Sequence, residues 1–393
     1  MMDQPIYLDY QASTPLDPKV REVMLPWMGD LFGNPHSSDH AHGWAAEEAV
    51  ETARAQVAAL IGAKPREIIF TSGATEANNL AIKGVARALK TDRNHLITCV
   101  TEHKCVLESC ARLEGEGFRV TYLPVEANGL LNLDRLEAAL DEKTALVSIM
   151  AVNNEIGVIQ PLGEIAALCK KVGARLHTDA AQGVAKIPID VQAMGIDLLS
   201  ISGHKIYAPM GIGALYIRRK PAVPIEPLID GGGQERGLRS GTVPAPLTIG
   251  FGESCRIAVA EMAEEATRLA ALRDRFMARI NTALDDVHLN GDAVERIPGN
   301  LNLSFADIDA QDLMMRLPRV SVSTGSACTT ATVQASHVLQ ALGVEERLLH
   351  NAIRIGIGRF TTDEEVDIAA DEIARAVNTL RQSAQVYEGV GGR

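Results

Sequence analysis

Between residues 67 and 219, short β-branched runs alternate with helical patterns. No other feature of the sequence constrains the fold as strongly. EIIFTS (67–72) precedes TEANNLAIKGVARALK, HLITCV (95–100) precedes CVLESCARLEGEG, RVTYLPV (119–125) precedes NLDRLEAAL, and ALVSIMAV (145–152) precedes LGEIAALCKKVG. RLHTDA (175–180), DLLSIS (197–202) and ALYIRR (214–219) complete a series of seven strand-like runs. Strands joined through helices pair in parallel and bury both faces, so the alternation predicts an α/β fold with a mostly parallel seven-stranded sheet. Ligands bind such sheets outside the carboxyl ends of the strands, so the residue after each run is a candidate for chemistry.

The pattern changes near residue 260. Leu269, Leu272, Phe276, Ile280 and Leu284 recur at helical spacing, followed by alternating runs NLNLSF (300–305), VSVST (320–324) and AIRIGIG (352–358). A last helix carries Val366, Ile373, Val377 and Leu380 on one face, with Thr362 and Glu365 spaced as a capping box. A chain of 393 residues exceeds what one core usually serves. The expected division is a large domain over 15–259 and a smaller α+β domain made of 1–14 and 260–393.

Lys and Arg number 38 against 50 Asp and Glu, a net charge of −12, which argues against a nucleic-acid binder or a polybasic membrane binder. The opening MMDQPIYLDY lacks the basic and apolar regions of a signal peptide, and ALVSIMAV is too short to span a bilayer. Six cysteines without a CxxC pair fit reduced thiols in a cytoplasm.

Three segments at strand ends carry the chemistry. In TSGATEANN (71–79), Gly73 turns the chain and a helix begins near Thr75. Its free N–H groups form either a phosphate cradle or an ordinary capped start. The segment is neither GxGxxG nor a Walker loop, so it does not indicate a nucleotide. In HTDAAQ (177–182), Asp179 lies where a strand ends; in SGHK (202–205), Lys205 does the same, flanked by Ser202 and His204. Each alone is ordinary. Together, a phosphate cradle, a carboxylate for a pyridine nitrogen and an amine for an aldehyde are what pyridoxal 5′-phosphate requires. One residue stands apart: Cys328, in SVSTGSACTT (321–330), sits among residues too small to pack around a thiol.

TSGATEANNLAIKG, TEHK, NNEIGVIQ, HTDAAQ, SGHK, ERGLRSGT and STGSAC occur in this order. With them the chain resembles the cysteine desulfurases of the IscS/NifS type, in the class V aminotransferase-like family of pyridoxal-phosphate fold type I. The resemblance runs from YLDYQASTPLDP (7–18) through GRFTTDEE (358–365). It implies that Lys205 carries the cofactor, that Asp179 meets its ring nitrogen, and that His103 stacks on the ring and helps proton transfer. It further implies that Gln182 touches the phenolic oxygen, that Ala74, Thr75, Ser202 and His204 hold the phosphate, and that Asn154 adds a cofactor contact. Thr242 would reach the phosphate of the other subunit, making the protein a homodimer. Asn154 and Arg354 would hold the substrate carboxylate, and Arg suits this because its planar fork pairs bidentately.

The implied activity is removal of sulfur from L-cysteine, giving L-alanine and a persulfide on Cys328. The catalytic residues would be Cys328, Lys205 and His103. The thiolate form of Cys328 would attack, and a segment of small residues would let it reach an acceptor protein such as an iron–sulfur scaffold. The length from Thr324 to about Ser336 resembles the IscS/NifS branch more than SufS. Selenocysteine lyase or another aminotransferase-like reaction is the alternative enzyme reading. A cofactor-free scaffold would have no use for Lys205 and Asp179.

No firm metal site is expected. His36, His40 and His42 lack an H-E-x-x-H pattern, and Cys328 is the one residue for which the family implies transient iron–sulfur ligation. Cys99, Cys105, Cys110, Cys169 and Cys255 are expected to be packing residues. Met210 stands where relatives commonly carry lysine. The sequence ends at Arg393, without the longer tail that housekeeping relatives use to dock a scaffold.

Overall fold

The computed structural model describes residues 5–324 and 335–391. Cys328 lies outside the described residues. Among the described residues one sheet has seven strands, in the spatial order Ile68–Thr71, Gly213–Ile217, Leu198–Ser202, Arg175–Asp179, Thr144–Ser148, His95–Cys99 and Arg119–Leu123. The five strands from Leu198–Ser202 to Arg119–Leu123 pair in parallel. Gly213–Ile217 is antiparallel to both of its neighbours. The reason is the short link over 203–212. A parallel return needs a crossover of a dozen or more residues, so this pair closes as a hairpin.

Successive side chains of a strand point to opposite faces. Ile97, Val147, Leu176 and Leu199 therefore enter one core, and Leu96, Leu146, Leu198 and Leu215 another. The first core is closed by Val50 and Val57 of the helix Ala41–Leu60 and by Ile165 and Cys169 of the helix Leu162–Val172. The second is closed by Leu80 and Val85 of the helix Ala74–Leu89 and by Val106 and Cys110 of the helix Lys104–Glu114. With both faces apolar, the strands read as near-continuous hydrophobic runs.

The helix Ala245–Ala283 is 39 residues long and runs unbroken through residue 260. Its first half gives Phe251, Cys255 and Ala258 to the sheet core. Its second half gives Leu269, Leu272, Phe276 and Ile280 to a separate core with Leu301, Leu303, Ile353, Ile355, Val366 and Ile373. The expected boundary at 259/260 thus falls inside one helix, where one buried stripe changes partners without a break in the periodicity.

The second core covers an antiparallel sheet of Val287–Leu289, Asn300–Phe305 and Ala352–Gly356. Ile6 and Leu8 join it, and Ile6–Tyr7 pairs in parallel with Val320–Ser321. That ladder is shorter than the run VSVST suggests: beyond it, Ser323 bridges to Arg354. Thr362 and Glu365 cap one another reciprocally at the start of the helix Asp363–Gly391. Among the described residues no helix is long and apolar enough to cross a membrane.

Candidate active site

A cavity of about 580 Å³ opens at the carboxyl ends of the large sheet. Lys205 reaches it from a single 3-10 turn, Gly203–Lys205, that follows the strand Leu198–Ser202. Its Nζ donates to the carbonyls of Gln11 (2.6 Å) and Ala12 (2.7 Å). Asp179 is the last residue of Arg175–Asp179. Its Oδ2 accepts from Asn78 Nδ2 at 2.6 Å and its Oδ1 from Ala181 N at 3.0 Å. Asn78 is fully buried, and its Oδ1 has no partner among the described residues.

His103 begins the helix Lys104–Glu114 and caps it with its own ring, Nδ1 accepting from Cys105 N at 3.2 Å. Burial holds this imidazole below the usual histidine range; the Asp179 carboxylate pulls the other way, and Lys205 adds to the depression. Gln182 donates from Nε2 to Gln11 O at 2.7 Å and accepts at Oε1 from Lys186 Nζ at 2.6 Å. Burial, with the charges of Lys205 and Arg354, brings Lys186 down to about 7.

The far wall is the start of the helix Ala74–Leu89, with Gly73 as its N-cap at φ +150°. A Cβ on Gly73 would stand 3.8 Å from Ser202 Oγ, inside the cradle that these residues form. His204 closes this wall, its Nδ1 3.3 Å from Ser13 Oγ, and burial lowers it to about 4. Arg239 pairs with Glu76 of the first helical turn at 2.8 Å, which ties the segment ERGLRSGT to the cradle. Thr242, in that segment, is exposed and is not part of the cavity wall.

Arg354 enters from the smaller sheet, on Ala352–Gly356. Nη2 donates to Asp9 Oδ1 at 2.8 Å and Nη1 to Asn154 O at 2.9 Å. Its Nε is buried without a hydrogen-bond partner among the described residues.

Ten of the residues singled out in the sequence therefore line one cavity: Ala74, Thr75, His103, Asn154, Asp179, Gln182, Ser202, His204, Lys205 and Arg354. Four participants were not singled out for the site. Asn78 lies one turn beyond Thr75, on the face that the cradle already uses, and that spacing is the signal for it. Gln11 and Lys186 act through a carbonyl and a second side chain, which no motif reveals. Cys105 corrects the expectation that it merely packs: it lines the cavity, and its Sγ lies 3.0 Å from His103 Nδ1. Cys99, Cys110, Cys169 and Cys255 are buried as expected. His40 accepts from Gly43 N at 3.1 Å and caps the helix Ala41–Leu60. Among the described residues no cluster suited to a metal ion occurs.

An amine, a buried carboxylate and a helix-start cradle at one sheet edge define an enzyme that carries an aldehyde cofactor. The chain belongs to the class V aminotransferase family, whose pattern matches residues 6–368. It is 55% identical over 384 residues to a protein of Rickettsia bellii named cysteine desulfurase IscS, covering 98% of this chain and 94% of the relative. A Mus musculus cysteine desulfurase is also 55% identical, over 98% of this chain and 84% of its own length. A solved NifS-like protein superposes with a TM-score of 0.89 at 38% identity, covering 96% of this chain and all of that one. The structure titled SspA in complex with cysteine gives 0.81 at 41% identity, over 91% and 99%.

The enzymes of this family depend on pyridoxal 5′-phosphate, and the residues here fit it. Lys205 supplies the amine, Asp179 a carboxylate oriented by two donors, and Gly73 a cradle that any Cβ would narrow.

Proposed function

We propose that this chain is a cysteine desulfurase that takes the sulfur of L-cysteine onto Cys328, leaving L-alanine and a Cys328 persulfide. The observation that carries the reading is that Lys205, Asp179 and Arg354 face one cavity from two different cores. A free amino acid presents an amine and a carboxylate on one carbon; the Arg354 guanidinium is complementary to the carboxylate, and the aldehyde that Lys205 would hold is complementary to the amine. The cofactor, when bound, supplies an electrophilic aldehyde and a ring that draws electrons from the substrate's Cα.

The chain's own groups do the rest. Asp179, held by Asn78 and Ala181, is the carboxylate that would meet the ring nitrogen. The Arg354 fork binds the substrate carboxylate, with Asn154 beside it. Lys205 is the amine placed to move the Cα proton, its Nζ steered by the Gln11 and Ala12 carbonyls. Gln182 would offer an N–H to the ring oxygen, and Gly73, Ala74, Thr75, Ser202 and His204 would hold the phosphate. The carbon–sulfur bond of cysteine breaks as a sulfur–sulfur bond to Cys328 forms. Cys328 then yields the sulfur to an acceptor protein such as an iron–sulfur scaffold. A thiol that must stay reduced suits the cytoplasm.

The working form is a homodimer. Leu25, Met28, Phe32 and Trp44 are large apolar side chains more than half exposed, a pattern typical of interaction surfaces. Arg239 anchors the exposed segment from which Thr242 would reach the partner's phosphate.

The test is direct. Protein supplied with pyridoxal phosphate should be yellow, and Lys205→Ala should lose that absorption. L-cysteine with a reductant should yield alanine and sulfide in equal amounts. Cys328→Ser should stop sulfide release yet keep the spectral response to cysteine. Sulfide release at the parent rate by Cys328→Ser would remove Cys328 from this role.

A further inference from the structure

His103 caps its helix with Nδ1, accepting from the backbone amide of Cys105. A backbone N–H only donates, so Nδ1 presents a lone pair there. The Cys105 sulfur lies 3.0 Å from the same nitrogen. Burial, reinforced by the Asp179 charge, pushes this thiol up to about 12, so it keeps its hydrogen. With Nδ1 unprotonated, the S–H is the donor of that contact. Asn78 Nδ2 stands 3.1 Å from the sulfur and 2.6 Å from Asp179 Oδ2. Turning the Asn78 amide over would bring two oxygens together at the Asp179 contact, so the nitrogen is the atom that faces both partners. The donors thus run in one direction, from Asn78 to Cys105 and from Cys105 to His103.

We propose that Cys105 and Asn78 are positioning residues that hold neutral His103 with its proton on Nε2, so that the ring meets its ligands with an N–H and not a lone pair. A proton taken up by this ring must then arrive at Nδ1, displacing both the helix cap and the Cys105 contact. The charged groups around the ring divide: Asp179 favours the protonated form, while Lys205, His337 and Lys104 oppose it. A neighbouring thiol would ordinarily be suspected as a second sulfur acceptor. Here it serves the imidazole instead.

The inference rests on the cavity being the active site, and its test separates the two. Holoenzyme labelled with ring-¹⁵N histidine is examined by NMR, with the His103 signals identified by their loss in His103→Gln. Nδ1 should resonate as an unprotonated nitrogen and Nε2 as a protonated one; the reverse assignment overturns the proposal. Losing a donor to Nδ1 favours ring protonation, so Cys105→Ala should raise the His103 titration midpoint by about half a unit. Cys105→Ser, which keeps a donor, should restore it. An unmoved midpoint in Cys105→Ala, with cofactor still bound, also overturns the proposal. Failure to form alanine counts against the desulfurase reading alone, because the tautomer is read without turnover.

Discussion

Replacing Arg354 by lysine separates charge from shape at the substrate carboxylate. The guanidinium is buried and already gives one N–H to Asp9 and one to Asn154 O. Arg has five N–H groups in a planar fork, and Nε is among the three that remain. Two parallel N–H groups of a guanidinium grip a carboxylate bidentately. Lysine keeps the positive charge and offers one good contact instead of two. The loss of one charge-assisted hydrogen bond, about 1.5–3 kcal/mol, corresponds to roughly a 10- to 150-fold fall in kcat/KM. The carboxylate is held alike before and during the reaction, so the loss should appear in KM with kcat little changed. The assay is alanine formation from L-cysteine, compared with turnover of cysteamine, which lacks the carboxylate. For cysteamine, parent and variant should agree within about twofold, the scatter expected of uncoupled changes. An equal loss with both substrates, or no loss with cysteine, would refute this role for Arg354.

Three further outcomes follow from the structure. Glu235 accepts both Arg54 Nη groups at 2.7 and 2.8 Å and Phe70 N at 2.7 Å, all buried. Glu235→Gln removes the buried charge partner of Arg54 and leaves it only Glu51, which is half exposed, at a cost of about 3–5 kcal/mol. For 393 residues unfolding as one unit this is a fall in Tm of about 4–6 °C by calorimetry, and Arg54→Met with Glu235→Leu should recover most of it. Lys186 is lowered in the folded chain from the ordinary 10.5 to about 7, so between those values the unfolded chain binds more protons and stability rises with pH. Lys186→Met should flatten that rise in denaturant titrations at pH 7 and above; an unchanged slope would contradict the burial. Gly73→Ala forces a Cβ at φ +150° into the cradle and should weaken pyridoxal-phosphate retention at least about tenfold, measured by equilibrium dialysis.

The alternation of strand and helix, the strand-end positions of Asp179 and Lys205, and the capping pair Thr362–Glu365 were legible because each rests on neighbours within a few residues. Hydrophobic period and cap chemistry are local properties, so the sequence by itself determined the α/β class, the large sheet and the side of it that bears the chemistry. Local pattern failed where partners are remote. The helix through residue 260 keeps one periodicity while it leaves one core for another. Asn78 and Asp179 are separated by 101 positions, Lys205 and Gln11 by 194, and Arg354 and Asp9 by 345. Cys105 looked like packing because a thiol beside a helix start has no signature of the imidazole it faces. Which side chains meet, which donors are already spent and which remain for a ligand are set by how distant segments close on one another. Only the tertiary structure decided those, because a hydrogen bond depends on separation in space and not on separation along the chain.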